Sequence, residues 1–326
     1  MLNSTDCQLV FWSPQAAKTL RPLFLLCILG TISHLLFWIQ FIFYPSVRQA
    51  SMQWLYAYLT ADLFLIIRFF FIYIYRWWPI CLPQLPRIII CYAEAVLDNY
   101  LNLLQSYILL ALNICRYMQI AHNHNVYSSN RRIIFLAHIL IYCLPMLVHV
   151  LFIVCGWSML ENPVGDACDL LPVSLTIRLV FLLFSYFIPV TLALVFLGLC
   201  LRSIHDTHGI RTQKILNARL RYHRQLVIQS CAFYSQWLIL WSPHLVAFPF
   251  LYKNSGIGTI AQMMNYASVT VDPIVIAALD VRFLQAWRST GAHLKSYFRR
   301  QQFLPVPVIQ TVHDPDRTTT KSSGAK

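Results

Sequence analysis

The sequence predicts an all-α membrane protein, a seven-transmembrane helix bundle with its N-terminus outside and a short amphipathic helix after the seventh span. Three observations predict it. Seven long apolar stretches run through the chain, at residues 20–44, 51–75, 87–120, 131–155, 175–201, 222–252 and 257–279. A bilayer core about 30 Å thick takes roughly 20 helical residues to cross, and every stretch is long enough. Charged residues make up only 11% of the 326 and hydrophobic ones 58%, whereas a soluble domain carries about 25% charged. The third observation is the placement of the basic residues. Of the 25 Lys and Arg, 18 fall on the side opposite the N-terminus. Lys18, Arg21, Arg76, Arg87, Arg178 and Lys253 fall on the N-terminal side, and Arg68 lies within a span. This is the positive-inside bias, and it sets the orientation as N-out and C-in. The net charge of +13 is therefore a membrane-topology signal, and no nucleic-acid partner is implied.

The segments follow in order. Residues 1–19 form an outer tail that is polar, so the first helix is expected to act as its own insertion signal. Asn3-Ser4-Thr5 is a glycosylation sequon on the outer side. Residues 20–279 form the bundle. The longest loops are expected at 156–174 and 205–221. Residues 280–300 place Phe283, Leu284, Trp287 and Leu294 among basic residues, which reads as a helix lying on the inner membrane surface. Residues 301–326, rich in Pro, Thr and Ser, are expected to be a disordered tail. Around 205–224, Arg211, Lys214, Arg219, Arg221 and Arg224 accompany one acid, Asp206. That run suits a protein contact, an anchor to anionic membrane lipid, or both.

Charges and polar groups inside a membrane are costly and usually face the bundle interior. Asp62 sits mid-span in the second helix. In the third, Asp98, Asn102, Gln105 and Arg116 follow at steps of 4, 3 and 11, which keeps them on one helical face. Asp272 precedes Pro273 in the seventh. Pro189, Pro243 and Pro273 interrupt the fifth, sixth and seventh spans. Each proline frees a backbone carbonyl, which neighbours must satisfy. The pattern describes kinked helices around a polar-striped one, with room to move.

The cysteines sort by depth. Cys7, Cys81, Cys91 and Cys168 lie at or near the outer, oxidising face. The best pair is Cys91, at the top of the third span, with Cys168 in the following outer loop; the alternative is two free thiols. A Cys7–Cys81 bridge is open. The remaining cysteines lie within or at the ends of spans, where the default is a small buried hydrophobe.

These residues together resemble the rhodopsin-like (class A) G-protein-coupled receptors, over roughly residues 20–300. Cys115-Arg116-Tyr117 resembles the Asp-Arg-Tyr motif, and Cys91 stands 25 residues before Arg116, the family spacing for the disulfide cysteine. Leu59-Thr60-Ala61-Asp62 is similar to the second-helix Leu-x-x-x-Asp signature. Trp241-Ser242-Pro243 matches Trp-x-Pro. Asp272-Pro273-Ile274-Val275-Ile276 resembles Asn/Asp-Pro-x-x-Tyr. Gly30-Thr31-Ile32-Ser33-His34-Leu35-Leu36 is similar to the first-helix signature, with His34 in the place of an asparagine.

The resemblance implies an activation switch made of Arg116, Tyr117, Trp241, Pro243, Asp272 and Pro273, and a heterotrimeric G protein as inner partner. It implies a ligand site in the outer half, with Glu94, Asp98, Asn102, Arg178, Trp241, His244, Leu245 and Tyr266 as candidates. Asp98 lies where amine receptors carry the ammonium partner, and Tyr266 where they carry its supporting tyrosine. The rival expectation is that Arg68 neutralises Asp98 or Glu94, leaving a pocket of mixed charge better suited to a short neuropeptide. Asp62, Gln105, Ser268 and Asp272 resemble a sodium pocket. Two close carboxylates cannot both stay ionised without a cation, so either sodium lies between them or one is protonated. The Gln105 amide also offers a substitute for the ion. Three departures bear on switching. Cys115 replaces the acid beside Arg116, which implies a looser resting state. Ile276 and Leu197 replace tyrosines that help hold the active one.

Other classes fit less well. An intramembrane enzyme needs a nucleophile or metal cluster at depth, and the closest histidine pair, His122 and His124, has no acid beside it. A transporter tends to show inverted repeats, and none is visible. A channel lacks support from the motifs. A retinal pigment needs a lysine in the seventh span, and 257–279 has none. The expectation is a multi-pass plasma-membrane receptor, not an enzyme, with no cofactor beyond the sodium ion near Asp62.

Overall fold

The computed structural model describes residues 8–78, 80–121, 127, 131–161, 167–208, 214–251 and 255–302. Asn3, Cys7, His122, His124 and the tail from 303 onward lie outside the described residues. Seven long helices form one bundle. They are α1 (Pro14–Phe43), α2 (Gln53–Trp77), α3 (Gln84–Ala121), α4 (Arg131–Val154), α5, α6 (Lys214–Leu251) and α7 (Ser255–Leu279). The fifth, α5, runs from Leu175–Leu182 through a π turn at Leu183–Phe187 into Ile188–His208. An eighth helix, α8 (Val281–Gln302), follows.

The helices outrun the apolar stretches that predict them. α1 starts at Pro14, where the Ser13 hydroxyl accepts the Ala16 N–H at 3.1 Å as an N-cap and proline takes the first helical position. The inner loop expected at 205–221 is shorter than expected, because α5 continues to His208 and α6 begins at Lys214. Helical backbone satisfies itself, so a polar sequence prolongs a helix beyond the hydrocarbon at no cost in hydrogen bonds.

By length and apolarity alone, four helices qualify as membrane spans, at Ala16–Phe43, Ala50–Trp77, Arg132–Val154 and Leu175–Ile204. The other three long helices carry their polar residues inward. α3 buries Glu94, Asn102, Gln105, Ser106, Asn113 and Arg116. α6 buries Ser230 and His244, and α7 buries Asn265, Ser268 and Asp272. α3 sits at the centre, packed on α2, α4 and α5, while α6 and α7 lie along each other and α1 lies along α7. Gly30 permits the α1 approach: a Cβ there would meet the Ile66 side chain at 3.0 Å and Thr270 Oγ1 at 3.2 Å.

Two of the three proline interruptions find named donors for the carbonyls they free. Pro189 cannot donate to Ser185 O, and the Ser106 hydroxyl of α3 donates to that oxygen at 3.3 Å, beside the π turn. Pro273 leaves Val269 O without its helical donor, and His34 Nε2 of α1 lies 3.3 Å from it. Ser33 Oγ donates to the next carbonyl, Thr270 O, at 2.9 Å.

Short antiparallel strand pairs form at the outer face, one joining the N-terminal segment to the first outer loop and one within the loop between α4 and α5. β1 (Gln8–Val10) pairs antiparallel with β2 (Ile80–Leu82). β3 (Ser158–Glu161) pairs antiparallel with β4 (Asp169–Pro172), and β4 lies on α3. Cys91 and Cys168 form the expected disulfide, with Cα atoms 5.3 Å apart, tying this lid to the top of α3. Cys81 is also in a disulfide, whose partner lies outside the described residues.

At the inner end, α8 is preceded by Asp280, whose carboxylate accepts the Arg282 N–H at 2.9 Å and pairs with its guanidinium at 2.6 Å. Phe283 is buried and stacks on Phe37 of α1 at 4.6 Å, and Tyr44 meets Thr290 at 2.9 Å. The apolar face is therefore shared between the bundle and the membrane, with Leu284 and Trp287 exposed.

Candidate functional site

The polar residues of the bundle form four levels. At the outer level, Arg68 pairs with Asp98 at 2.5 Å, and its Nε donates to Glu94 O at 3.1 Å. Glu94 has a second arginine, Arg76 at the end of α2, which forms a buried ion pair with it. Glu94 also accepts the Cys168 N–H at 3.3 Å. Arg76 lies 4.8 Å over the Trp12 ring, and Trp12 Nε1 donates to Tyr73 O at 3.3 Å. The N-terminal segment, α2, α3 and the lid thus meet at one acid. Arg178, at the top of α5, donates to Pro172 O of the lid at 3.4 Å. His244, Leu245 and Tyr266 are buried nearby, with Tyr266 edge-on to Phe69 at 5.3 Å.

The second level centres on Asn102. Its Oδ1 accepts from Trp241 Nε1 at 3.3 Å and from Asn265 Nδ2 at 3.0 Å, and its own Nδ2 donates to Asp98 O at 2.9 Å. One amide thereby joins α3, α6 and α7. Trp241 is fully buried and stacks on Trp237 at 4.2 Å.

The third level holds the carboxylate pair. Gln105 Nε2 donates to Asp62 Oδ1 at 2.5 Å. Asp272 accepts from Tyr58 OH at 2.9 Å, Gln236 Nε2 at 2.8 Å and Ser268 Oγ at 3.3 Å. Three buried oxygens here, Asp62 Oδ2, Gln105 Oε1 and Gln236 Oε1, have no hydrogen-bond partner among the described residues. Unpaired carboxylate and amide oxygens are the donor set of a hard cation or of ordered water. The residues fit a small cation, to which Gln105 and Gln236 would add carbonyl oxygens.

At the inner level, Arg116 is buried and donates to Leu226 O at 3.0 Å and to Ser230 Oγ, both on α6. Tyr117 packs on Phe196 of α5 at 5.6 Å. The arginine is bound to α6 by neutral acceptors.

The structure brings the sequence-predicted residues together at these levels, Pro243 within α6 between the second level and the top. Of the two readings of Asp98, it places the carboxylate on Arg68. The sequence reading missed Arg76, Gln236, Ser230, Asn265 and Tyr58. Asn265 stands seven residues before Asp272, on the same face of α7, a spacing that marks it. Arg76 falls where an outer loop is expected, and nothing in its neighbourhood points inward.

Squid rhodopsin has a solved structure that matches the chain with a TM-score of 0.65, covering 86% of this chain and 82% of that one at 15% identity. No known family description matches the sequence, and no curated protein does. The order of the helices, the lid disulfide and this likeness agree: the chain has the rhodopsin-like G-protein-coupled receptor fold.

Proposed function

We propose that this chain is a multi-pass plasma-membrane receptor that converts an extracellular ligand, a short neuropeptide, into activation of a heterotrimeric G protein. The observation that carries the reading is the tether of Arg116 to Leu226 O and Ser230 Oγ. It joins the inner ends of α3 and α6 by hydrogen bonds that a swing of α6 breaks. Outward along α6 lie the Asn102–Trp241 bond and Pro243, so ligand contacts at the outer end bias the same helix. The freed arginine and the basic residues around 205–224 and in α8 then face the G protein. Anionic lipid of the inner leaflet is a second partner of those basic residues.

The peptide reading rests on Asp98. Its carboxylate is already paired with Arg68, and an acid matched by an arginine is a poor ammonium trap. The amine alternative uses Asp98 as counter-ion and requires the ligand to displace Arg68. The test is calcium and cyclic-AMP responses of cells expressing the chain to a mixed amine and amidated-peptide library, with Asp98→Asn alongside. A peptide response that survives the substitution supports this reading. An amine response that vanishes with it overturns the peptide assignment, and no response to any ligand with G proteins of every class overturns the receptor reading.

We infer further that a sodium ion is held near Asp62, with Asp62, Gln105, Ser268 and Asp272 around it. The three oxygens without partners support this.

A further inference from the structure

The lid sets two acids against each other. Glu161 and Asp169 are the paired residues at the loop end of β3–β4, and like charges directly opposite weaken a ladder. Asp169 cannot simply move away. The preceding residue, Cys168, is bonded to Cys91 on α3 and donates its N–H to Glu94. Beneath the lid each arginine is already matched, Arg68 to Asp98 and Arg76 to Glu94. Asp169 makes no ion pair among the described residues.

The groups that face Asp169 come from every element packed on β4. α3 presents Asp98 and Glu94, β3 presents Glu161, and Arg68 of α2 reaches the cluster from below. From α5, Arg178 is engaged on Pro172 O of the same strand. Three carboxylates and one guanidinium therefore act on a fourth carboxylate beneath a disulfide-anchored lid.

We propose that Asp169 makes the β3–β4 lid a proton-responsive latch: with a proton on its carboxyl the lid lies closed on the Arg68–Asp98 site, and without one the lid loosens. Desolvation of the half-buried carboxyl first, and Asp98 next, push Asp169 from its ordinary 3.8 up to about 7, against the pull of Arg68. An open lid returns the group to water and to its ordinary range. The closed lid binds the proton more tightly, so closure strengthens as pH falls from about 7 toward 4 and is flat above 7. The latch thus opens the outer site in neutral surroundings and shuts it when they acidify.

The experiment is hydrogen exchange of the β3 and β4 amides in the full chain in lipid nanodiscs, expressed as protection relative to intrinsic rates. It needs neither ligand nor G protein, so its outcome is separate from the receptor reading. Protection is expected to rise roughly tenfold for each pH unit below 7. Asp169→Asn is expected to remove the rise and hold the lid at its acid-pH protection throughout. Glu161→Gln is expected to fold normally and to move the rise to lower pH, because one repelling charge is gone. Wild-type protection that is flat between pH 7 and 5, or a rise that persists in Asp169→Asn, overturns the proposal.

Discussion

His34 Nε2 of α1 lies 3.3 Å from Val269 O, the carbonyl that Pro273 leaves without its helical donor. A substitution for asparagine in the first helix and a proline in the seventh are thus one structural unit. The ring is fully buried. His34→Leu leaves the carbonyl unpaired in a dry interior and is expected to cost about 1–3 kcal/mol. His34→Asn keeps a donor and is expected to recover part of it. Thermal unfolding of the purified receptor reads both; equal melting of wild type and His34→Leu would show that the contact contributes nothing.

Arg68 and Asp98 form the least symmetrical pair to break. Arg68→Ala strands a mostly buried carboxylate and is expected to destabilise by about 3–5 kcal/mol, whereas replacing both by apolar residues of similar volume is expected to cost much less. Melting temperatures of the single and double variants test this. A double variant no more stable than Arg68→Ala contradicts a direct pair.

The neutral tether of Arg116 predicts the direction of basal signalling. Ser230→Ala removes one acceptor from a charged donor, a contact worth about 1.5–3 kcal/mol, and is expected to raise basal second-messenger output by up to roughly tenfold. Cys115→Asp supplies an acid beside the arginine and is expected to lower it. An unchanged basal signal in both variants would sink the idea that this tether sets the resting state.

Sodium binding near Asp62 predicts a cation-specific effect on stability. Exchanging sodium for potassium at equal ionic strength is expected to lower the melting temperature of wild type and to leave Asp62→Asn unmoved. If wild type melts alike in both salts, the unpartnered oxygens are met by water and the Gln105 amide replaces the ion.

Much of this was legible in order along the chain. The steps from Asp98 to Asn102, Gln105 and Arg116 place the four on one face of a helix whatever surrounds it, and they do line the bundle interior. The match of Cys91 to Cys168 was legible from depth. The partner of Glu94 was not. Arg68 and Arg76 lie eight residues apart on α2, and which of them reaches which acid depends on how α2 is rotated against α3. Gln236 and Ser230 were missed because an isolated polar residue in an apolar helix has no spacing to reveal its target.

The sequence by itself determined the number of helices, their depth and their orientation. Those are consequences of apolar length and charge placement, which a bilayer reads one segment at a time. Only the tertiary structure decided that the expected ammonium trap is a matched ion pair, that Arg116 rests on a carbonyl and a hydroxyl of α6, and that the loop between α4 and α5 is a lid with opposed carboxylates at its loop end. Those are pairings between segments tens to hundreds of residues apart. Their energies depend on distance and burial, which no local pattern encodes.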